Sequence, residues 1–197
     1  MTSSSHIQLS DQAAAALVPR GGVILAETRS DDPTGTSTLR VAAIRVAAGA
    51  GARLVLYDAA AESLFCDPYP SGPWTVDVDG PNGERPLTAE DLAMLGREAL
   101  RRQVISATAA GVQATAWLPR GVGAPALGDA EQRTGARLII RAALRRGSLL
   151  DRLLSRSEAA YRRTLRAPTA TVDPEGNLLL ALGSSRPSGV AQLATPS

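Results

Sequence analysis

The chain contains no lysine: all 21 of its basic residues are arginine. A P-loop sets a lysine at the phosphates of its nucleotide, and Schiff-base or pyridoxal phosphate chemistry needs a lysine amine, so both are excluded. Histidine is almost absent as well, His6 in a Ser-rich opening segment being the only one. A Ser/His/Asp triad therefore has no base, and a histidine zinc site has no ligands. Cys66 is the sole cysteine, which rules out an internal disulfide; within Phe65-Cys66-Asp67-Pro68 it reads as a packing residue. Aromatic residues make up only 3% of the chain, so the core must be built from Ala, Leu, Val and Ile, and platforms for stacking bases are scarce. No run approaches the ~20 apolar residues of a membrane span, and Ala13 to Val18 is too short and too poorly flanked by charge for a signal peptide. The expectation is a cytoplasmic protein with no membrane partner. A formal net charge of +2 is too small to imply a nucleic-acid partner.

With 197 residues the chain has room for one α/β domain with tails. We expect a flexible N-terminal tail over residues 1–20, holding at most a short helix, and a domain over 21–183. A Ser-, Pro- and Gly-rich tail follows over 184–197. Within the domain, Gly22–Glu27 reads as a first strand and Ala52–Tyr57 as a second. Between them a helix starts near Thr36 or Ser37 and is ended by Gly49 and Gly51. Residues 59–86 form a Pro- and Gly-rich insertion, too long for an ordinary connection. Inside it Thr75–Asp79 alternates like an edge strand. Asp77 and Asp79 do not make a calcium loop, because the next ligand position falls on Pro81, which lacks a side-chain oxygen. Thr88 and Asp91 form a capping pair that opens a helix running to about Ala110. Gly111–Trp117 reads as the third strand, and Gly121-Val122-Gly123 as a turn into a short helix.

From Gly135 to Val172 the pattern is a βαβ unit: an apolar run at Leu138-Ile139-Ile140, an arginine-rich loop, a helix from about Leu149 with leucines at i, i+4, and a second run at Ala170-Thr171-Val172. An open parallel sheet binds its ligands beyond the carboxyl ends of its strands, so this loop is where binding or chemistry is expected. Asp173-Pro174-Glu175-Gly176-Asn177 is turn chemistry that should fold Leu178–Leu182 back as an antiparallel partner. Charge is divided along the chain. Nine acidic residues stand against Arg85 and Arg97 between Asp58 and Glu98, and nine arginines against Asp151 and Glu158 between Arg137 and Arg166. Solvated helix faces, an anion site and charge matching between subunits all fit that division.

Taken together, Gly22–Glu27, Ala52–Tyr57, Gly111–Trp117, the LII strand with its loop, and Ala167-Pro168 at the end of the following helix resemble the universal stress protein family over most of residues 21–173. The resemblance implies an open parallel five-stranded sheet, order 3-2-1-4-5, sandwiched by helices, with the C-terminal hairpin adding an antiparallel strand. It also implies where a nucleotide would sit. ATP-binding members place glycines at the phosphates because backbone amides must approach without a Cβ in the way. Here those positions become Ala142, Arg145 and Ser155-Arg156. The family's acidic residue after the first strand is matched by Glu27.

The expected function is thus a non-enzymatic, stress-related module with no cofactor held in the ATP-binding manner, paired as a homodimer through the C-terminal edge at Ala170–Leu182. The alternative is a protein binding ATP, another nucleotide or a phosphorylated ligand, with Arg145, Arg146, Gly147, Ser148 and Ser157 replacing the glycine cradle. Gly147-Ser148 at the helix start could offer amides to an anion, or be a plain loop glycine before a cap. An enzyme would have to draw acid and base from Glu27, Asp58 or Asp31. No catalytic residue and no metal ligand is assigned.

Overall fold

The structure, a computed structural model, describes residues 6–29, 33–61, 85–142, 160, 161 and 163–181. The expected strand at Thr75–Asp79, the helix start near Leu149, the loop positions from Arg145 to Ser157 and the C-terminal tail lie outside the described residues. The elements in chain order are β1 (His6–Leu9), α1 (Asp11–Ala15), β2 (Val23–Thr28), α2 (Pro33–Ala50), β3 (Arg53–Asp58) and α3 (Ala89–Met94). They continue with α4 (Glu98–Ala109), β4 (Ala114–Trp117), α5 (Gly123–Thr134), β5 (Ala136–Ala142), β6 (Thr169–Val172) and β7 (Leu178–Ala181).

Among the described residues one sheet carries seven strands in the order β1-β7-β6-β5-β2-β3-β4. Its central run β4-β3-β2-β5-β6 is parallel throughout. This is the α/β sheet of order 3-2-1-4-5 expected from the sequence. The β6–β7 hairpin is antiparallel, with Val172 opposite Leu178. Its turn is tied by Asp173, whose carboxylate accepts from the Asn177 amide at 2.7 Å and from the Asn177 side chain at 2.9 Å.

Alternation along the strands sends side chains to two separate cores. Ile24, Ala26, Leu54, Leu56, Leu138 and Ile140 face one way, against Ala14 and Val18 near α1, Leu39, Ala43 and Val46 of α2, and Leu100 and Val104 of α4. Val23, Leu25, Val55, Tyr57, Trp117 and Ile139 face the other, against Leu127 and Ala130 of α5 and against Tyr161, Leu165 and Ala167. The first layer is a dense Ala/Leu/Val core, as the scarcity of aromatics requires. The second is smaller and holds the described aromatic residues Tyr57, Trp117 and Tyr161.

Three departures from the sequence reading have physical causes. Residues 6–15 are structured rather than a tail: His6–Leu9 pairs antiparallel with β7, and Ser10 caps α1 by accepting from the Ala13 amide at 3.1 Å. Consequently β7 is no edge, because β1 lies on its outer side, and the hairpin Ala170–Ala181, the described part of the expected Ala170–Leu182 edge, is interior to the sheet. The single helix expected from Thr88 to Ala110 is two helices, broken where Gly96 adopts φ 66°, a left-handed conformation that ends a helix and that other residues reach only with strain. The Thr88/Asp91 capping box does form, and Arg85 adds a two-pronged contact to the same carboxylate at 2.9 Å for each nitrogen.

Candidate functional site

In a sheet of this order the chain leaves β2 toward β3 and β4, then crosses back to β5 on the other side of β2. The carboxyl ends of β2 and β5 therefore diverge in their connections and open the crevice in which ligands of open α/β sheets bind. Sequence places two opposite charges there. Ala26 stands opposite Ile140, so the next residues, Glu27 and Arg141, are side by side on the face of Leu25 and Ile139.

Their side chains join. Arg141 Nε donates to Glu27 Oε2. The Arg141 side chain is 7% exposed and that of Glu27 is 20% exposed. The guanidinium carbon lies 3.5 Å from the ring centroid of Tyr161, so the cation is covered on one side by an aromatic face. The same layer continues across the sheet, because Glu27 stands opposite Tyr57 and Tyr57 opposite Trp117, both fully buried. An unpaired ion in such surroundings would be costly, whereas each charge here is met by the other. Arginine suits the position because its guanidinium can accept a carboxylate in its plane and a ring on its face.

On the opposite face the carboxyl end of the sheet is also occupied. Thr28 Oγ1 donates to the carbonyl of Tyr57 at 3.2 Å, and the buried Asp58 carboxylate accepts from the Ala60 amide at 3.1 Å. Burial pulls the Arg97 guanidinium below its ordinary pKa, while the nearby Asp58 charge draws it back up. Acid and guanidinium thus stand close on both faces of the sheet end. Among the described residues no cluster of three His, Cys, Asp or Glu could hold a metal ion. Among them, too, no helix is long and apolar enough to cross a membrane.

Of the residues expected at the site, Glu27 lies in the crevice, and Ala142 is exposed at the last position of β5. Arg145, Arg146, Gly147, Ser148, Ser155, Arg156 and Ser157 lie outside the described residues. Arg141 and Tyr161 were not anticipated. A signal for Arg141 was present: strand alternation puts it on the face of Ile139, and an arginine on a core-facing strand position needs an acid nearby.

No protein-family model and no curated protein matches the sequence. Among solved structures the chain is similar to a universal stress protein in complex with cAMP, at 20% identity and a TM-score of 0.46, with 78% of this chain and 97% of that chain covered. It is also similar to a universal stress protein from Archaeoglobus fulgidus, at 17% identity and a TM-score of 0.45, with 76% of this chain and 92% of that chain covered.

Proposed function

We propose that this chain is a non-enzymatic, cytoplasmic module of the universal stress protein kind, one whose ligand crevice is filled by its own side chains, so that ATP is not held there. The carrying observation is the Glu27–Arg141 ion pair beneath Tyr161, at the point where the order of the parallel strands reverses. A polyanion entering the crevice would have to take Arg141 from Glu27 and leave a carboxylate without its cation in a mostly buried position. That cost opposes binding before any phosphate contact forms. Ala142, at the place where the family's first phosphate glycine is expected, adds a Cβ at the end of the same strand.

The test is whether protein purified under native conditions carries a nucleotide. An absorbance spectrum without a 260 nm excess, and no nucleotide in the mass spectrum after denaturation, support the reading; stoichiometric ATP or cAMP refutes it. The arginine-rich stretch directly after β5 favours a second reading, an anion site at Arg145, Arg146, Gly147 and Ser148. Phosphate that raises the thermal midpoint of the wild type and not of an Arg145→Ala/Arg146→Ala variant would support that reading.

We further assign the pairing of two copies to the outer edge of β1. Among the described residues that strand lies at one end of the sheet, and Ile7 on it is 49% exposed, while the strand at the other end, β4, is bridged at Ala116 by Leu87.

A further inference from the structure

We propose that Glu131 is a positioning residue for the crevice: from α5 it fixes the turn of chain that lays Tyr161 over Arg141. The inference rests on the reading that the Glu27–Arg141 pair fills the crevice, and it names what keeps the pair covered. Glu131 is a carboxylate only 6% exposed, and backbone amides donate to both of its oxygens. Arg166 N donates to its two oxygens at 3.0 and 3.1 Å, and Ala167 N donates to Oε1 at 2.7 Å.

Those two amides mark where a helical turn stops. Leu165 N still donates to the carbonyl of Tyr161 at 2.8 Å, one turn back. The next two amides are both held by Glu131, and the chain then passes Pro168, whose carbonyl accepts from Ile139 N at 3.0 Å, into β6. By setting the end of the turn at Leu165, the carboxylate sets the rotation of Tyr161 about the helix axis. That rotation decides whether the ring faces Arg141.

A second contact on the same side of α5 works in the same direction. A Cβ at Gly128 would come within 2.7 Å of Thr164 Cγ2, so only glycine lets α5 and this turn approach as closely as they do. Gly128 and Glu131 are three apart and share a helix face. Together they grip Thr164, Arg166 and Ala167, the residues that follow Tyr161. In this proposal Glu131 acts on the ion pair through the tyrosine.

The experiment follows the Arg141 Nε proton by nuclear magnetic resonance in the full-length wild type and in Glu131→Gln, with chemical shift and solvent exchange as readouts. In the wild type the proton should exchange slowly and the Arg141 side-chain protons should carry the upfield shift of a nearby ring. Glu131→Gln should speed that exchange at least tenfold and remove the upfield shift. Amides of the central strands β2 and β3 should keep their protection. If Glu131→Gln does not fold, Gly128→Ala gives the same readouts and should change them in the same direction. A variant with a lower melting temperature but unchanged Arg141 exchange and shift would overturn the proposal, leaving Glu131 a structural anchor only. Fast exchange of Arg141 Nε in the wild type would instead overturn the closed crevice itself.

Discussion

Removing one member of the Glu27–Arg141 pair should destabilise the fold far more than removing both. Arg141→Met leaves the Glu27 carboxylate beside Leu25 and Tyr57 without its cation, and Glu27→Leu leaves a guanidinium that is 7% exposed without its acid. Breaking a buried pair from one side costs about 3–5 kcal/mol. Glu27 retains some contact with solvent, so we place the expected cost of each single change at about 2–4 kcal/mol. For a chain of this size that corresponds to a drop of roughly 5–15 °C in melting temperature. In the double variant two apolar side chains of similar length lie together, and replacing a buried pair in this way is near neutral. The four proteins form a double-mutant cycle, measured by urea unfolding followed by circular dichroism, with the midpoint read at constant slope. The expected coupling is at least about 2 kcal/mol, with the double variant more stable than either single one. Single costs below about 1 kcal/mol, or additivity within about 0.5 kcal/mol, would show an ordinary surface contact and refute the reasoning.

Other expectations are more local. Thr88→Ala removes the hydroxyl that accepts from the Asp91 amide at 3.2 Å and should cost about 1 kcal/mol of unfolding free energy, read from the same urea curves. Arg85 and the Thr88 amide hold the Asp91 carboxyl below its usual range, so its folded-state pKa lies below its unfolded one. The stability it contributes is therefore complete above about pH 4 and is lost as the pH falls further. The stability difference between wild type and Asp91→Asn should accordingly shrink on acidification, and a difference that stays constant would contradict the assignment. Ile7→Arg on the outer strand should shift the protein from dimer to monomer in sedimentation at tens of micromolar, whereas a monomeric wild type, or a variant that stays dimeric, would remove β1 as the interface.

The central sheet was legible because its strands are short runs rich in apolar residues, four of them opened by a nearby glycine (Gly22, Gly51, Gly111, Gly135) and β6 by Ala167-Pro168, and the Asp173–Asn177 turn signals its hairpin within five residues. The N-terminal strand was not, because His6–Leu9 has only two apolar residues and becomes a strand through β7, far away in sequence. The break at Gly96 was missed for a related reason: a lone glycine within a helical pattern is tolerated as often as it terminates, and only the backbone dihedral decides. At the expected site, only the position of Glu27 near the end of β2 was legible in the sequence. Its use was not, since the partner Arg141 is 114 residues away and the covering ring belongs to Tyr161, on the far side of the arginine-rich loop. Local pattern finds elements that face the core; it does not find which two buried charges meet.

The most direct test of the self-filled crevice is calorimetry of the wild-type protein with ATP and magnesium. An Arg141 already held by Glu27 and covered by Tyr161 predicts no saturable heat up to millimolar nucleotide. A saturable isotherm with low-micromolar affinity, accompanied by release of the Arg141 Nε proton into fast exchange, would show that nucleotide displaces the ion pair and would contradict the account.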